Sequence, residues 1–76
     1  MITFLKGTLT DALPTQAVID VNGIGYEVLI PLSSFEKLPE LGEAVTLKTQ
    51  LVVREDSQTL YGFATNDERE LFRMIQ

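Results

Sequence analysis

The chain has 76 residues, 45% hydrophobic and 22% charged, with six Lys and Arg against eleven Asp and Glu for a formal charge of −5. That length holds one small domain with little core to spare, and the composition is that of a globular rather than a disordered chain. There is no Cys and no His, which excludes disulfides, the usual zinc sites and Cys–His or Ser–His catalysis; the acidic balance argues against non-specific nucleic-acid binding by this chain alone.

Residues 2–10 are β-prone, with Gly7 marking a bulge or bend. Asp11 to Pro14 reads as a loop, because Pro14 cannot donate to a sheet ladder. From Thr15 to Val21 the pattern alternates, with Ala17, Ile19 and Val21 on one face. Asn22-Gly23 follows, and both residues accept the positive φ angles of a tight hairpin turn. The return strand, Ile24 to Ile30, puts Tyr26, Val28 and Ile30 on one face.

Pro31 opens a short helical turn carrying Leu32, Phe35 and Leu38, which Pro39 terminates. Ala44 to Arg54 is a long strand, with Val45, Leu47, Leu51 and Val53 against Thr46, Lys48, Gln50 and Arg54. Glu55-Asp56-Ser57 breaks it with turn chemistry, the Asp and Ser side chains being able to cap local amides. Thr59 to Ala64 is the fifth strand, in which Gly62 permits close backbone approach. Thr65 with Glu68 is a capping-box pattern, opening a helix with Leu71, Phe72 and Ile75 as its apolar stripe. This helix meets no stop signal before Gln76, which predicts that the native chain continues.

Three strands, a short helix, two strands and a helix is the order of an OB-fold, an all-β five-stranded Greek-key barrel with a short helix between strands 3 and 4. An SH3-like barrel is the structural competitor. The predicted division is a barrel over 1–64 carrying an acidic hairpin, with 65–76 starting a linking helix. The start, Met1 to Lys6, lacks a basic-then-apolar leader, and Val28 to Leu32 is too short for a membrane span, so a cytoplasmic protein without membrane contact is expected.

Catalysis has poor raw material. Glu55 and Asp56 are the one carboxylate pair of interest, but at a turn both are solvated and no low-dielectric pocket separates their pKa values. Gly23-x-Gly25 lacks the third glycine and the helix of a dinucleotide site. No metal or cofactor is expected. A single-strand binder needs a basic groove with stacking aromatics. The six basic residues here are scattered, and Phe4, Tyr26, Phe63 and Phe72 read as core. Arg54-Glu55-Asp56-Ser57 is either a solvated turn or a negative prong presented to a polyanion. A carboxylate and a phosphate repel by only about 1 kcal/mol at ~4 Å in water, so one tip does little and several clustered by symmetry do more.

Three strings carry a resemblance: Val21-Asn22-Gly23-Ile24-Gly25-Tyr26-Glu27-Val28, Val52 through Phe63 (VVREDSQTLYGF), and Glu68-Arg69-Glu70-Leu71-Phe72. With Met1-Ile2, Leu5 and Gly7, they make the whole chain resemble the N-terminal domain of the RuvA family, bacterial proteins that bind Holliday junctions. The resemblance implies an OB-fold barrel, followed in the full-length protein by a middle domain with two helix-hairpin-helix motifs and a C-terminal domain. It also implies a homotetramer on which a four-way DNA junction lies flat, with the ATP-driven RuvB motor and the RuvC resolvase as partners. Glu55 and Asp56 match the family's acidic pin at the crossover, and Arg54 beside them is a candidate to pair with a carboxylate or touch a phosphate. The chain itself is then a non-catalytic subunit of a branch-migration machine, with weak or absent DNA binding when isolated. An OB-type protein-interaction module and a single-strand binder are the rival functions.

Overall fold

A computed structural model describes residues 1–75. Five strands, β1 (Phe4–Leu13), β2 (Gln16–Val21), β3 (Ile24–Leu29), β4 (Ala44–Arg54) and β5 (Ser57–Phe63), close into a barrel in the order β1-β2-β3-β5-β4. The helix α1 (Leu32–Phe35) lies between β3 and β4, and α2 (Asn66–Ile75) follows β5. This is the OB-fold order, and it sets aside the SH3-like alternative. Four of the neighbouring pairs are antiparallel; β3 and β5 meet in parallel at Leu29 and Tyr61. The parallel seam follows from connectivity: after α1 the chain rises in β4 and returns in β5, which therefore runs in the direction of β3.

β1 closes the barrel by serving two partners. Its first half, Phe4 to Thr8, pairs with β4, and its second half, from Thr8 to Leu13, pairs with β2. The register shifts between Leu9 and Asp11, and such a bulge bends a strand and strengthens its twist. Asp11 to Leu13, expected as loop, therefore remains in the sheet, and the turn shrinks to Pro14-Thr15. The irregularity is at Leu9/Asp11 and not at Gly7. Gly7 is needed for a different reason, because a Cβ there would collide with the carbonyl of Asp20 on the neighbouring strand.

Leu5, Leu9, Ala17, Ile19, Val28, Ile30 and Leu47 form the core, with Tyr26, Phe35 and Leu38 packed against it. Leu9, Ile19 and Val28 are wholly shielded from solvent, and each such side chain contributes roughly 1.5–3 kcal/mol. Thr49 is the polar member of the interior face; its hydroxyl donates to the carbonyl of Ile2 at 2.8 Å, so its burial leaves no orphan. Phe4, expected in the core, is 55% exposed. Its neighbour Leu5 takes the interior position, and alternation turns Phe4 outward.

α2 lies on the outside of the barrel over β4 and β5. Phe72 packs on Tyr61 and Phe63, with ring centroids 4.8 and 5.2 Å apart. Leu71 and Ile75, the rest of the expected stripe, are mostly exposed.

Candidate nucleic-acid interface

The two hairpins obey different local rules. At Asn22-Gly23, φ is 53° and 88°, and Asp20 Oδ1 accepts the Gly23 amide at 2.8 Å. Positive φ at both positions is the two-residue turn whose twist matches paired strands. The β4–β5 hairpin also turns in two residues, Glu55 and Asp56, between the paired Arg54 and Ser57. Asn22 is the one non-glycine with positive φ among the described residues, so Glu55 and Asp56 make their turn without the favoured geometry. Two carboxylates stand where Asn-Gly would serve the backbone better.

The hairpin also leaves the barrel. β1 stops pairing with β4 at Lys48, and β3 meets β5 at Tyr61, which faces Gln50. From Leu51 to Arg54 the ribbon has, among the described residues, only its own two strands paired, a reach of roughly 13 Å at ~3.3 Å per residue. Burial tracks this departure. Leu51 is half-buried, Val53 is 62% exposed, and Arg54, Glu55, Asp56, Ser57 and Gln58 are all exposed. Val53 keeps the parity of the interior face but lies past the end of the barrel.

None of Arg54, Glu55, Asp56 and Ser57 makes a side-chain hydrogen bond or an ion pair among the described residues. The expected capping of local amides by Asp56 and Ser57 is absent there, and Arg54 is not paired with its neighbouring carboxylates. The tip presents two free negative charges with one free positive charge behind them. In OB-folds the 4–5 loop and the outer face of strands 2 and 3 are the usual places to hold oligonucleotides. Here β2 and β3 carry Asp20 and Glu27 and no basic residue, which is poor ground for a single strand needing a basic groove.

A second constellation was not legible from the spacing of its residues. Glu68, 15% exposed, accepts from the hydroxyls of Ser33 (2.6 Å) and Ser34 (2.8 Å) on α1, from Lys37 Nζ (3.1 Å) and from the Thr65 hydroxyl (3.0 Å). Desolvation by burial works against ionisation, but the four donors outweigh it and lower the pKa to about 2. Half of the predicted capping box forms: the Thr65 hydroxyl accepts the Glu68 amide at 3.2 Å. The Glu68 carboxylate turns to the α1 donors instead of back to the Thr65 amide. Ser34, wholly buried, also accepts the Ala64 amide at 3.0 Å. This clasp ties the start of α2 to α1 and to the end of β5. Among the described residues, no group of acidic side chains is arranged to hold a metal ion.

A closed five-stranded Greek-key barrel, with two carboxylates at its 4–5 loop that are unpaired among the described residues, defines an OB-fold domain. Its sequence matches the model for the RuvA N terminal domain over residues 1–62. Curated proteins described as Holliday junction branch migration complex subunit RuvA are similar over 75 residues, 99% of this chain. That of Albidiferax ferrireducens is 59% identical, that of Stutzerimonas stutzeri 59% and that of Opitutus terrae 55%. The chain belongs to the RuvA N-terminal domain family. It spans 40%, 37% and 38% of those three proteins, about two-fifths of their length.

Proposed function

We propose that this chain is the crossover domain of a Holliday-junction-binding subunit acting in branch migration during recombination and repair, with Glu55 and Asp56 as its acidic pin. The observation that carries the reading is the pair of carboxylates, unpartnered among the described residues, at the end of a ribbon that has left the barrel. The names of the similar proteins support the junction assignment. α2 then begins the link to the remainder of the polypeptide, which supplies the main phosphate-binding amides. In a fourfold assembly four such tips converge on the open centre of the junction. Each carboxylate repels a phosphate by about 1 kcal/mol at ~4 Å in water. The set therefore keeps a continuous duplex out of the centre and favours strands that separate and re-pair there. ATP hydrolysis belongs to the partner motor RuvB, resolution to RuvC, and the compartment is the cytoplasm; this domain is non-catalytic.

The test replaces both acids in the full-length protein (E55Q/D56N). Binding to plain duplex should tighten several-fold and the branch-migration rate should change, while four-way-junction binding survives. Unchanged duplex affinity together with unchanged migration would remove the pin role.

A further inference from the structure

Charge on this barrel is segregated. β4 contains no acidic residue, and β1 contains none before Asp11, in a chain with eleven acids. Three of the six basic side chains are engaged. Lys37 holds Glu68, Arg69 donates to the carbonyl of Thr3 at 2.8 Å, and Arg73 bridges Glu70 and Gln50. The other three, Lys6, Lys48 and Arg54, make no ion pair or side-chain hydrogen bond among the described residues, and all three lie on β1 or β4.

The register places them on the outside. Leu5, Leu47 and Thr49 are buried, so Phe4, Lys6 and Lys48 face outward by alternation. Lys6 is opposite Thr46 and Phe4 opposite Lys48, which sets the two lysines diagonally across the pair, ~7–8 Å apart. That is close to the through-space separation of neighbouring phosphates along one DNA strand, which the helical path makes about twice the ~3.4 Å axial rise. Lys48 Nζ stands 6.0 Å from the centre of the exposed Phe4 ring, an apolar surface against which a sugar or base can lie. Arg54 continues the same parity of β4 at the tip, roughly 20 Å further on.

We infer that Lys6, Lys48 and Arg54 form a cationic rail that contacts the phosphate backbone of a junction arm as it approaches the pin. The inference rests on the junction-binding function proposed above. Attraction along β4 and repulsion at its end act on the same strand, so the rail sets where a phosphate chain must stop.

The salt dependence of binding tests it, because each phosphate contact contributes about 0.9 to the slope of log K against log salt. With full-length protein and a synthetic four-way junction, K6A/K48A removes two contacts from each subunit and should lower the slope by about 2 for every subunit engaged, about 7 in a fourfold assembly, and weaken binding more than tenfold at ~0.1 M salt. K6R/K48R should keep the wild-type slope. The charge-matched control Q16E/N22D makes the protein equally more negative on the β2 side and should leave the slope unchanged. A wild-type slope in K6A/K48A overturns the rail and leaves the junction function standing. Equal effects of K6A/K48A and Q16E/N22D also overturn it, as a consequence of net charge alone. A wild-type protein that does not prefer the junction to duplex removes the function on which the rail depends.

Discussion

Replacing Glu68 by Gln isolates the electrostatic part of the clasp that holds α2. The carboxylate accepts four hydrogen bonds, two on each oxygen, one of them from a lysine. An amide of the same shape offers one acceptor oxygen and turns two donors towards hydroxyls that must then rotate. Ser34 suffers most, because its buried hydroxyl already accepts the Ala64 amide and would lose the group to which it donates. A pKa lowered from 4.5 to about 2 corresponds to roughly 3 kcal/mol at ~1.36 kcal/mol per unit. Lys37 is 52% exposed, and solvent screening brings the expected contribution to about 1–2 kcal/mol. Folding lowers this pKa, so the stabilisation is complete above 4.5 and is lost as the pH falls towards about 2. Thermal unfolding followed by far-UV circular dichroism should therefore show E68Q melting roughly 5–12 °C below wild type at neutral pH. The gap should narrow steadily below the unfolded-state value and nearly vanish at the acidic end of that window. Equal stability at neutral pH, or a gap that does not change with acid, would refute the assignment of the low pKa to the clasp.

The β4–β5 turn should be improvable at the expense of its charge. E55N/D56G installs the residues that favour positive φ and should stabilise the hairpin by more than the extra unfolded-state freedom of Gly costs, seen as a higher unfolding midpoint in denaturant; a lower midpoint would show that the acids assist the turn. Gly7→Ala puts a methyl group against the Asp20 carbonyl in the barrel wall. It should cost more than about 2 kcal/mol, and a neutral result would mean that the β1–β2 pair can part there.

Much of the fold was legible because periodicity and turn chemistry agreed. Asn22-Gly23 fixed the first hairpin, and the alternation from Ala44 to Arg54 matched β4 at both ends. What could not be read were effects set by partners distant in sequence. Whether β1 ended at Thr10 depended on a bulge that lets one strand pair with both β2 and β4. Phe4 looked like core by its chemistry, but Leu5 held the inward position. The projecting tip was visible as a charged turn between two strands. That it extends beyond the paired barrel, free of partners among the described residues, depends on where β1 and β3 stop pairing, which no local pattern encodes. The clasp was hidden for the same reason: Ser33, Ser34 and Lys37 are ordinary surface types until Glu68 arrives from more than thirty residues away.

The most direct test of the pin compares plain-duplex affinity of wild-type and E55Q/D56N full-length protein across a salt series. Electrostatic exclusion predicts a several-fold tighter grip by the variant at ~0.05 M salt, with the ratio falling towards unity near 1 M as the Debye length shrinks to ~3 Å. A ratio of one throughout, or an advantage that salt leaves untouched, would contradict the claim that the two carboxylates act through their charge.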